Sequence, residues 1–92
     1  MAKLVFRVHA VQRMFQRHVT VEDVRHALDS GEELEAYPYD QPYPSHLVLG
    51  RCGSRPLHVI AAQNAADDET IIIAVYEPDP LLWDASFRRR RR

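Results

Sequence analysis

The stretch Thr70-Ile71-Ile72-Ile73-Ala74-Val75-Tyr76-Glu77 decides the fold that we predict for this chain. Five of its eight residues are β-branched, it contains neither glycine nor proline, and Pro78 follows it directly. Because the run is apolar in both alternations, it predicts a strand covered on both faces, in the middle of a sheet. Tyr76, the polar aromatic near its end, is therefore the first candidate for chemistry.

The composition predicts one small globular domain. The chain has 92 residues, of which 46% are hydrophobic, and its single cysteine cannot form an internal disulfide. No stretch resembles a signal peptide or is apolar for long enough to span a bilayer, so we expect a cytoplasmic protein without a membrane partner. The histidines lack the spacing of a metal site, and neither a metal nor another cofactor is expected.

The net charge of −1 hides an uneven distribution. The last five residues, Arg88–Arg92, are all arginine; without them, 7 of the 12 Lys and Arg residues remain against 13 Asp and Glu. We expect residues 1–87 to form the domain and residues 88–92 to form a basic tail. Such a tail either holds RNA phosphates or an acidic partner protein, or is a solvated, disordered end.

Two helices are predicted in the first third of the chain. The segment His9–His18 carries a basic row at four-residue intervals on one face and an apolar stripe on another. The basic row consists of His9, Arg13 and Arg17, and the apolar stripe of Val11, Met14, Phe15 and His18. A second helix begins after Thr20, a good N-cap with Asp23 three residues later, and ends at Ser30-Gly31.

Strands are predicted at Glu32–Tyr39, His46–Cys52 and Arg55–Gln63 in addition to the central one, and Lys3–Val8 is either an edge strand or a lead-in to the first helix. A tight turn at Gly53-Ser54 sets the register between two of them. The expected opposite pairs are Cys52 with Arg55, Leu49 with His58, Leu47 with Ile60, His58 with Tyr76, Val59 with Val75 and Ala61 with Ile73. A slip by one residue would instead set Tyr76 beside Leu57.

The order of these elements predicts an α+β fold, with two N-terminal helices packed on a three- to four-stranded antiparallel sheet. After Pro78-Asp79-Pro80 we expect a short C-terminal helical segment that packs on the sheet through Leu81, Leu82, Trp83 and Phe87. The helices should cover the sheet face that carries Val59. The basic row would then point away from His58 and Tyr76, unless the first helix lies at the edge of the sheet.

Arginine, histidine and tyrosine are the chemical groups that this fold would present. Together they suit metal-free RNA cleavage, because an imidazole can move the proton of a 2′-hydroxyl, guanidinium groups can stabilise the phosphorane, and a phenol can donate to it or stack on a base. The candidate catalytic residues are His9, Arg13, His58 and Tyr76, and the candidate RNA-binding residues are Arg17, Arg51, Arg88 and Arg89. Alternatively, His9 is a histidine bonded to backbone, the arginines are solvated surface charges, and His58 with Tyr76 is a cross-strand polar pair.

Several segments resemble the bacterial domain-of-unknown-function family 4258. The most specific is His9-Ala10-x-x-Arg13-Met14-x-x-Arg17; the others are Val21–Val24, Gly31-Glu32, Tyr43–Gly50, Arg55–Val59 and Ala74–Pro78. The resemblance implies a RelE/barnase-like ribonuclease fold, similar to RelE- and MqsR-like toxins, and a cognate antitoxin of the YgiT zinc-finger type as partner. His18 stands where the family commonly has glycine, which would strain a left-handed helix end.

Two functions of different classes are compatible with these residues. The first is a metal-independent endoribonuclease, the toxin of a type II toxin–antitoxin pair, which cleaves RNA or ribosome-bound mRNA. The second is a non-catalytic module that holds RNA or a partner protein with its basic helix and arginine tail. The enzyme requires the His, Arg and Tyr side chains to converge on one small concave patch.

Overall fold

The elements of the fold follow the predicted order closely. The computed structural model describes residues 3–91. They form β1 (Lys3–Phe6), α1 (Val8–Gln16), α2 (Val21–Ser30), β2 (Glu32–Tyr37), β3 (Ser45–Cys52), β4 (Arg55–Asn64), a 3-10 turn (Ala65–Asp67) and β5 (Glu69–Tyr76). The protein has the α+β fold that the sequence predicts. Within residues 3–91, no helix has the length and apolar character needed to cross a membrane.

The sheet has five strands in the order β1-β5-β4-β3-β2. Four of them form an antiparallel set, whereas β1 pairs in parallel with β5, from Lys3 opposite Glu69 to Phe6 opposite Ile72. The sheet therefore differs from the predicted three to four antiparallel strands by one parallel edge strand. The alternation in Lys3–Val8 indicates extended backbone, but it carries no information about the strand with which that backbone pairs.

The predicted register is confirmed at five of its six pairs. In particular, His58 lies opposite Tyr76 and Val59 opposite Val75, so the slipped alternative is excluded. The sixth pair is wrong: Ala61 lies opposite Ile72, because a β-bulge near Ile73 adds one residue to β5. Because this strand is apolar at nearly every position, its sequence does not alternate between apolar and polar residues. An extra residue therefore cannot be detected as a break in the alternation.

The core lies between the helices and the sheet face that carries Val59, as expected. Val24 and Ala27 of α2 and Ala10 and Met14 of α1 are buried there. Gly50 lets α2 approach β3 closely, since a Cβ on Gly50 would overlap the Cα and Cβ of Ala27 and lie 2.8 Å from its carbonyl oxygen. The N-cap of α2 is also confirmed, because Thr20 and Asp23 accept hydrogen bonds from each other's backbone N–H groups.

The end of α1 contains the strained position that the sequence predicts. His18 has a φ of 57°, its N–H donates to the carbonyl of Phe15, and the N–H of Val19 donates to the carbonyl of Met14. This is the Schellman motif, in which the left-handed residue is usually glycine.

The apolar stripe predicted for α1 is wrong in part. Met14 is buried, but Val11 and Phe15 are 49% and 84% exposed, and His18 is exposed as well. The helix lies at one edge of the sheet, so that only a narrow strip of its surface contacts the core. The spacing of apolar residues shows that they share one face of a helix. It does not show whether the rest of the chain buries that face.

The C-terminal segment covers the other face of the sheet with turns, and the predicted helical segment is wrong. Pro80 has no N–H to donate, and the carboxylate of Asp79 accepts from the N–H of Leu81 at 2.8 Å. The carboxylate of Asp84 accepts from the N–H groups of Ser86 and Arg88 and from the Ser86 hydroxyl. Such local side-chain contacts compete with helix formation. Trp83 is buried and forms a backbone bridge with Arg90, so the tail is folded against the domain as far as residue 91.

Candidate functional site

Helix α1 lies along the second half of β5, where β1 has already ended. The N–H of Arg7 donates to the carbonyl of Ile72 at 3.0 Å, and α1 begins at the next residue. As a result, His9 and Arg13 line a pocket of about 270 Å³ together with Ile73–Tyr76. The first helix thus occupies the sheet edge, which is the arrangement that one composite site requires.

A second pocket adjoins the first at Tyr76. It has a volume of about 560 Å³; its cationic side chains are Arg17 and Arg90, and its acidic ones are Glu77 and Asp79. The guanidinium of Arg90 lies over the Trp83 ring, 4.9 Å from its centroid, which is a cation–π contact. We call these two cavities the cationic pockets. One histidine and three arginines therefore surround the side chain of a single tyrosine.

His58 lies beneath this tyrosine and is completely buried. Its Nε2 is 2.9 Å from the carbonyl oxygen of Phe87, and its Nδ1 is 3.3 Å from the Tyr76 hydroxyl. Because a carbonyl can only accept, Nε2 carries the hydrogen, and Nδ1 accepts from the Tyr76 O–H. Burial lowers the pKa of His58, which favours this neutral form.

Tyr76 is half-buried, and its hydroxyl is held by this contact with His58. Burial raises the pKa of the Tyr76 phenol, and the positive charge of Arg90 acts in the opposite direction. The Trp83 ring packs edge-on against the opposite side of His58, at 4.4 Å between centroids. The neutral phenol is therefore held in a fixed orientation at the floor of the cationic pockets, with its one hydrogen donated to His58.

A family model described as "Domain of unknown function (DUF4258)" matches residues 6–77, more than three quarters of the chain. The chain belongs to the DUF4258 family. The matched region contains α1 and Tyr76, whereas Trp83 and Arg90 lie beyond it. Comparisons with curated proteins and with solved structures give no match.

In this DUF4258 protein the predicted site residues fall into three groups. His9, Arg13, Arg17 and Tyr76 line the cationic pockets, and His58 supports Tyr76 from below. Arg51 and Arg88 line a separate cavity of about 420 Å³ between α2 and β3. There the Nε of Arg88 donates to both carboxylate oxygens of Glu32, at 3.0 and 3.1 Å.

The other tail arginine that the sequence singled out, Arg89, lines neither of these sites. Arg89 is exposed, and its carbonyl accepts from the N–H of Asp84 at 2.8 Å. Arg92 lies outside the described residues. The roles assigned to Arg51, Arg88 and Arg89 in RNA binding stay predictions, on surfaces separate from Tyr76.

Three residues of this site were not singled out from the sequence. Arg90 could not be distinguished among five identical arginines, and Trp83 was assigned only to packing. Arg55 joins the end of α1 to the end of β5, since its guanidinium donates to the carbonyls of Arg17 and His18 and to the Glu77 carboxylate. This bridge fixes the position of Arg17 relative to Tyr76. The register sets Arg55 beside the Gly53-Ser54 turn, but no sequence pattern places that turn near the end of α1.

The titratable groups of residues 3–91 form no metal-binding cluster. Among these residues, no group of three or more His, Cys, Asp and Glu side chains is arranged to hold an ion. Every buried side-chain nitrogen or oxygen described there has a hydrogen-bond partner. The titratable side chains that line the cationic pockets are His9, Arg13, Arg17, Arg90 and Tyr76, together with the carboxylates of Glu77 and Asp79.

Proposed function

We propose that this DUF4258 protein is a metal-independent endoribonuclease that acts in the cytoplasm. The observation that supports the proposal is the convergence of His9, Arg13, Arg17 and Arg90 on the phenol of Tyr76. This set supplies a proton acceptor, a proton donor and positive charge within one concave region, which RNA transesterification needs.

The proposed reaction cleaves the chain at a phosphodiester next to a 2′-hydroxyl. The exposed imidazole of His9 takes the 2′-hydroxyl proton while the 2′-oxygen forms a bond to phosphorus. The bond from phosphorus to the 5′-oxygen breaks. The single O–H of Tyr76 turns from His58 Nδ1 toward the leaving oxygen and gives it a proton. The positive charge of Arg90 stabilises the resulting phenolate, and solvent returns the proton from His9. The products are a 2′,3′-cyclic phosphate and a 5′-hydroxyl.

The arginines and His58 have supporting roles in this scheme. Arg13 and Arg17 stabilise the negative charge of the phosphorane, for which their planar guanidinium groups are well suited. His58 was predicted from the sequence to be catalytic, but it has no exposed surface. We therefore assign it a positioning role, in which it accepts the hydrogen bond that orients the Tyr76 hydroxyl.

The role as the toxin of a toxin–antitoxin pair is part of the same proposal. It is supported by an exposed apolar row on α1, formed by Val8, Val11 and Phe15, which are 70%, 49% and 84% exposed. At 100° per residue these three side chains lie within about 60° of one another on the helix. Residues 3–21 contain no Asp or Glu and include Lys3, Arg7, Arg13 and Arg17. The row is thus complementary to an acidic amphipathic segment of a cognate antitoxin.

A non-catalytic RNA-binding module is the second candidate. It is favoured by one observation: the Tyr76 hydroxyl already donates its single hydrogen to His58, and burial raises the pKa of Tyr76, so the phenol is less available for proton transfer. In this function the cationic pockets hold RNA without cleaving it.

The decisive experiment measures RNA cleavage by the purified, antitoxin-free protein. Cleavage should persist in EDTA, should stop when the 2′-hydroxyl at the cut site is replaced by hydrogen, and should leave a cyclic phosphate. His9→Ala should lower the rate by about 10²–10⁴-fold, as loss of a proton-transfer group does. His26→Ala, a change of an exposed histidine on α2, is the matched control and should keep the wild-type rate.

One result would change the mechanism, and another would decide against the enzyme. A folded His9→Ala variant with the wild-type rate would remove His9 from the mechanism. If the wild-type protein cleaves no RNA, either free or on ribosomes, but binds it in a manner that requires Arg13 and Arg17, the binding module is the function.

A further inference from the structure

A third pocket lies on the same face of the sheet as Tyr76. It has a volume of about 690 Å³, and we call it the aromatic groove because its lining includes Tyr37, Pro38, Tyr39, Ile60 and Ile73. Ile60 lies two residues from His58 along β4, and side chains two apart share one face of a strand. Tyr37 lies opposite Ser45, and Ser45 lies opposite Ala62. Since Ala62 is two residues from Ile60, Tyr37 is on the same face.

The aromatic groove and the cationic pockets are neighbours, and we call the three together the track. Ile73 lines both the groove and the pocket that contains His9 and Arg13, and Tyr76 lines both cationic pockets. The β-bulge near Ile73 lies at this junction. A ligand that extends across the sheet therefore meets apolar and aromatic surface at one end and guanidinium groups at the other.

Charge is separated along this track. Arg13, Arg17 and Arg90 lie at the Tyr76 end. Two carboxylates lie there as well: Glu77, which is paired with Arg55 at 2.7 Å, and Asp79. The carboxylate of Asp40 lies at the groove end, where it accepts from the Ser45 hydroxyl at 2.7 Å, and Glu35 accepts from the Tyr37 hydroxyl at 3.1 Å. Because Arg55 offsets Glu77, arginines outnumber carboxylates at the Tyr76 end, whereas, among residues 3–91, the groove lining contains Asp40 and no lysine or arginine. The groove end therefore suits the uncharged part of a nucleotide, and the arginine end suits its phosphate.

The aromatic side chain best placed to contact such a ligand is Tyr39, which is 91% exposed. It lies between Pro38 and a second proline at position 42, in a loop whose φ angles are restricted at both proline positions. A large exposed aromatic ring beside an apolar groove provides a surface on which a nucleobase can stack.

We propose that the aromatic groove is the subsite for an unstacked nucleobase of single-stranded RNA whose phosphate lies in the cationic pockets. This inference rests on the proposed function, since it assumes that the ligand of the arginines is RNA. It deepens that function by naming the substrate class. Bases of a duplex are stacked on their neighbours, and only a single-stranded segment can turn a base into the groove.

The test measures the binding of a fluorescent single-stranded oligonucleotide in which every sugar is 2′-O-methylated, so that it cannot be cleaved. Tyr39→Ala should weaken binding by about 5- to 150-fold, which corresponds to the loss of one stacked base. Tyr39→Phe should retain the wild-type affinity because it keeps the ring. Leu81→Ala is the matched control, since Leu81 is also apolar and exposed but does not line the track.

Salt dependence and base removal separate the two ends of the track. Tyr39→Ala should leave the dependence of log Kd on log salt unchanged, whereas Arg17→Ala should make it shallower, because fewer counterions are released. An oligonucleotide with one abasic position in the groove should bind wild type and Tyr39→Ala equally well.

The possible outcomes distinguish this inference from the proposed function. If Tyr39→Ala binds the oligonucleotide as tightly as wild type, the groove is not a base subsite, and a segment of a partner protein becomes its expected ligand. Persistent cleavage in that case would leave the proposed function standing. If Tyr39 contributes to binding but wild type cleaves no RNA, the base subsite stands without the enzyme. If wild type binds no RNA, both proposals are wrong.

Discussion

The hydrogen bonds of His58 determine which protonation state the fold accepts. Its Nε2–H donates to the Phe87 carbonyl, and its Nδ1 accepts from the Tyr76 hydroxyl. A second proton on the ring would remove that acceptor and introduce a charge at a position without solvent contact. In the unfolded chain the His58 ring is solvated and can take up a second proton freely. The folded and unfolded states therefore bind different numbers of protons at the same pH.

This difference predicts an acid-sensitive fold. Unfolded His58 takes up a proton near its ordinary pKa of 6.5, whereas burial lowers the pKa in the folded protein. Below pH 6.5 the unfolded state binds more protons, so the free energy of unfolding should decrease as the pH falls from about 7.5 to 5.5. Urea unfolding across this range measures the slope.

The variants for this test are His58→Gln and His26→Gln. Glutamine at position 58 keeps one donor and one acceptor but does not titrate, so the slope should become shallower. His26→Gln on α2 should leave it unchanged. An unchanged slope in His58→Gln would show that another group carries the pH dependence.

His18 gives a second prediction at this scale. Its φ of 57° is a conformation that glycine adopts without strain. His18→Gly should raise the free energy of unfolding by about 0.5–1.5 kcal/mol, because the left-handed strain of about 1–2 kcal/mol is partly offset by the greater freedom of glycine in the unfolded chain. Thermal unfolding measures the change.

Gln16→Gly is the control for His18→Gly. It adds a glycine two residues earlier, inside α1, and should lower stability by about 1 kcal/mol. A loss of stability in both variants would mean that the helix does not end in the left-handed turn.

Helix α2 packs closely on strand β3 because Gly50 has no side chain. A methyl group on Gly50 would overlap Ala27, so Gly50→Ala should destabilise the fold by about 1–3 kcal/mol, as overpacking of a core does. Chemical denaturation measures the loss. Glu33→Ala, an exposed change on β2, should stay within about 0.5 kcal/mol of wild type. A similar small effect for Gly50→Ala would indicate that α2 sits farther from the sheet.

How far the sequence predicts these elements depends on whether the deciding interactions are local. The turn at Gly53-Ser54 and the cap at Thr20 lie within a few residues of the structure that they set, and both the β3–β4 register and the start of α2 are confirmed. The parallel pairing of β1 depends on contacts more than sixty residues away, which no local pattern encodes.

The candidate site shows the same limit. The His9, Arg13 and Arg17 row could be read from four-residue spacing, but its position beside Tyr76 follows from the short length of β1. The turns after Pro78 escaped prediction because the apolar residues around Trp83 resemble a helix, while the Asp79 and Asp84 side chains favour turns.

At the scale of the whole molecule, the tail arginines are not equivalent. Arg88 is neutralised by Glu32, whereas Arg90 lies in a cationic pocket. Arg90→Ala should reduce the slope of log Kd against log salt for RNA by about one, and Arg88→Ala should change it little. Fluorescence anisotropy at several salt concentrations measures both slopes. Equal reductions would show that the whole tail contacts phosphate.

The pairing of β1 with β5 also determines when the molecule can become active during its synthesis. A ribosome releases Lys3–Phe6 long before the Glu69–Ile72 segment that pairs with it, and Arg90 emerges later still. Until then the first strand has no partner, and a product that stops short of Trp83 lacks both the cover over His58 and one of the arginines. If the protein is the ribonuclease that we propose, this order of assembly keeps the growing chain from cutting the message that encodes it.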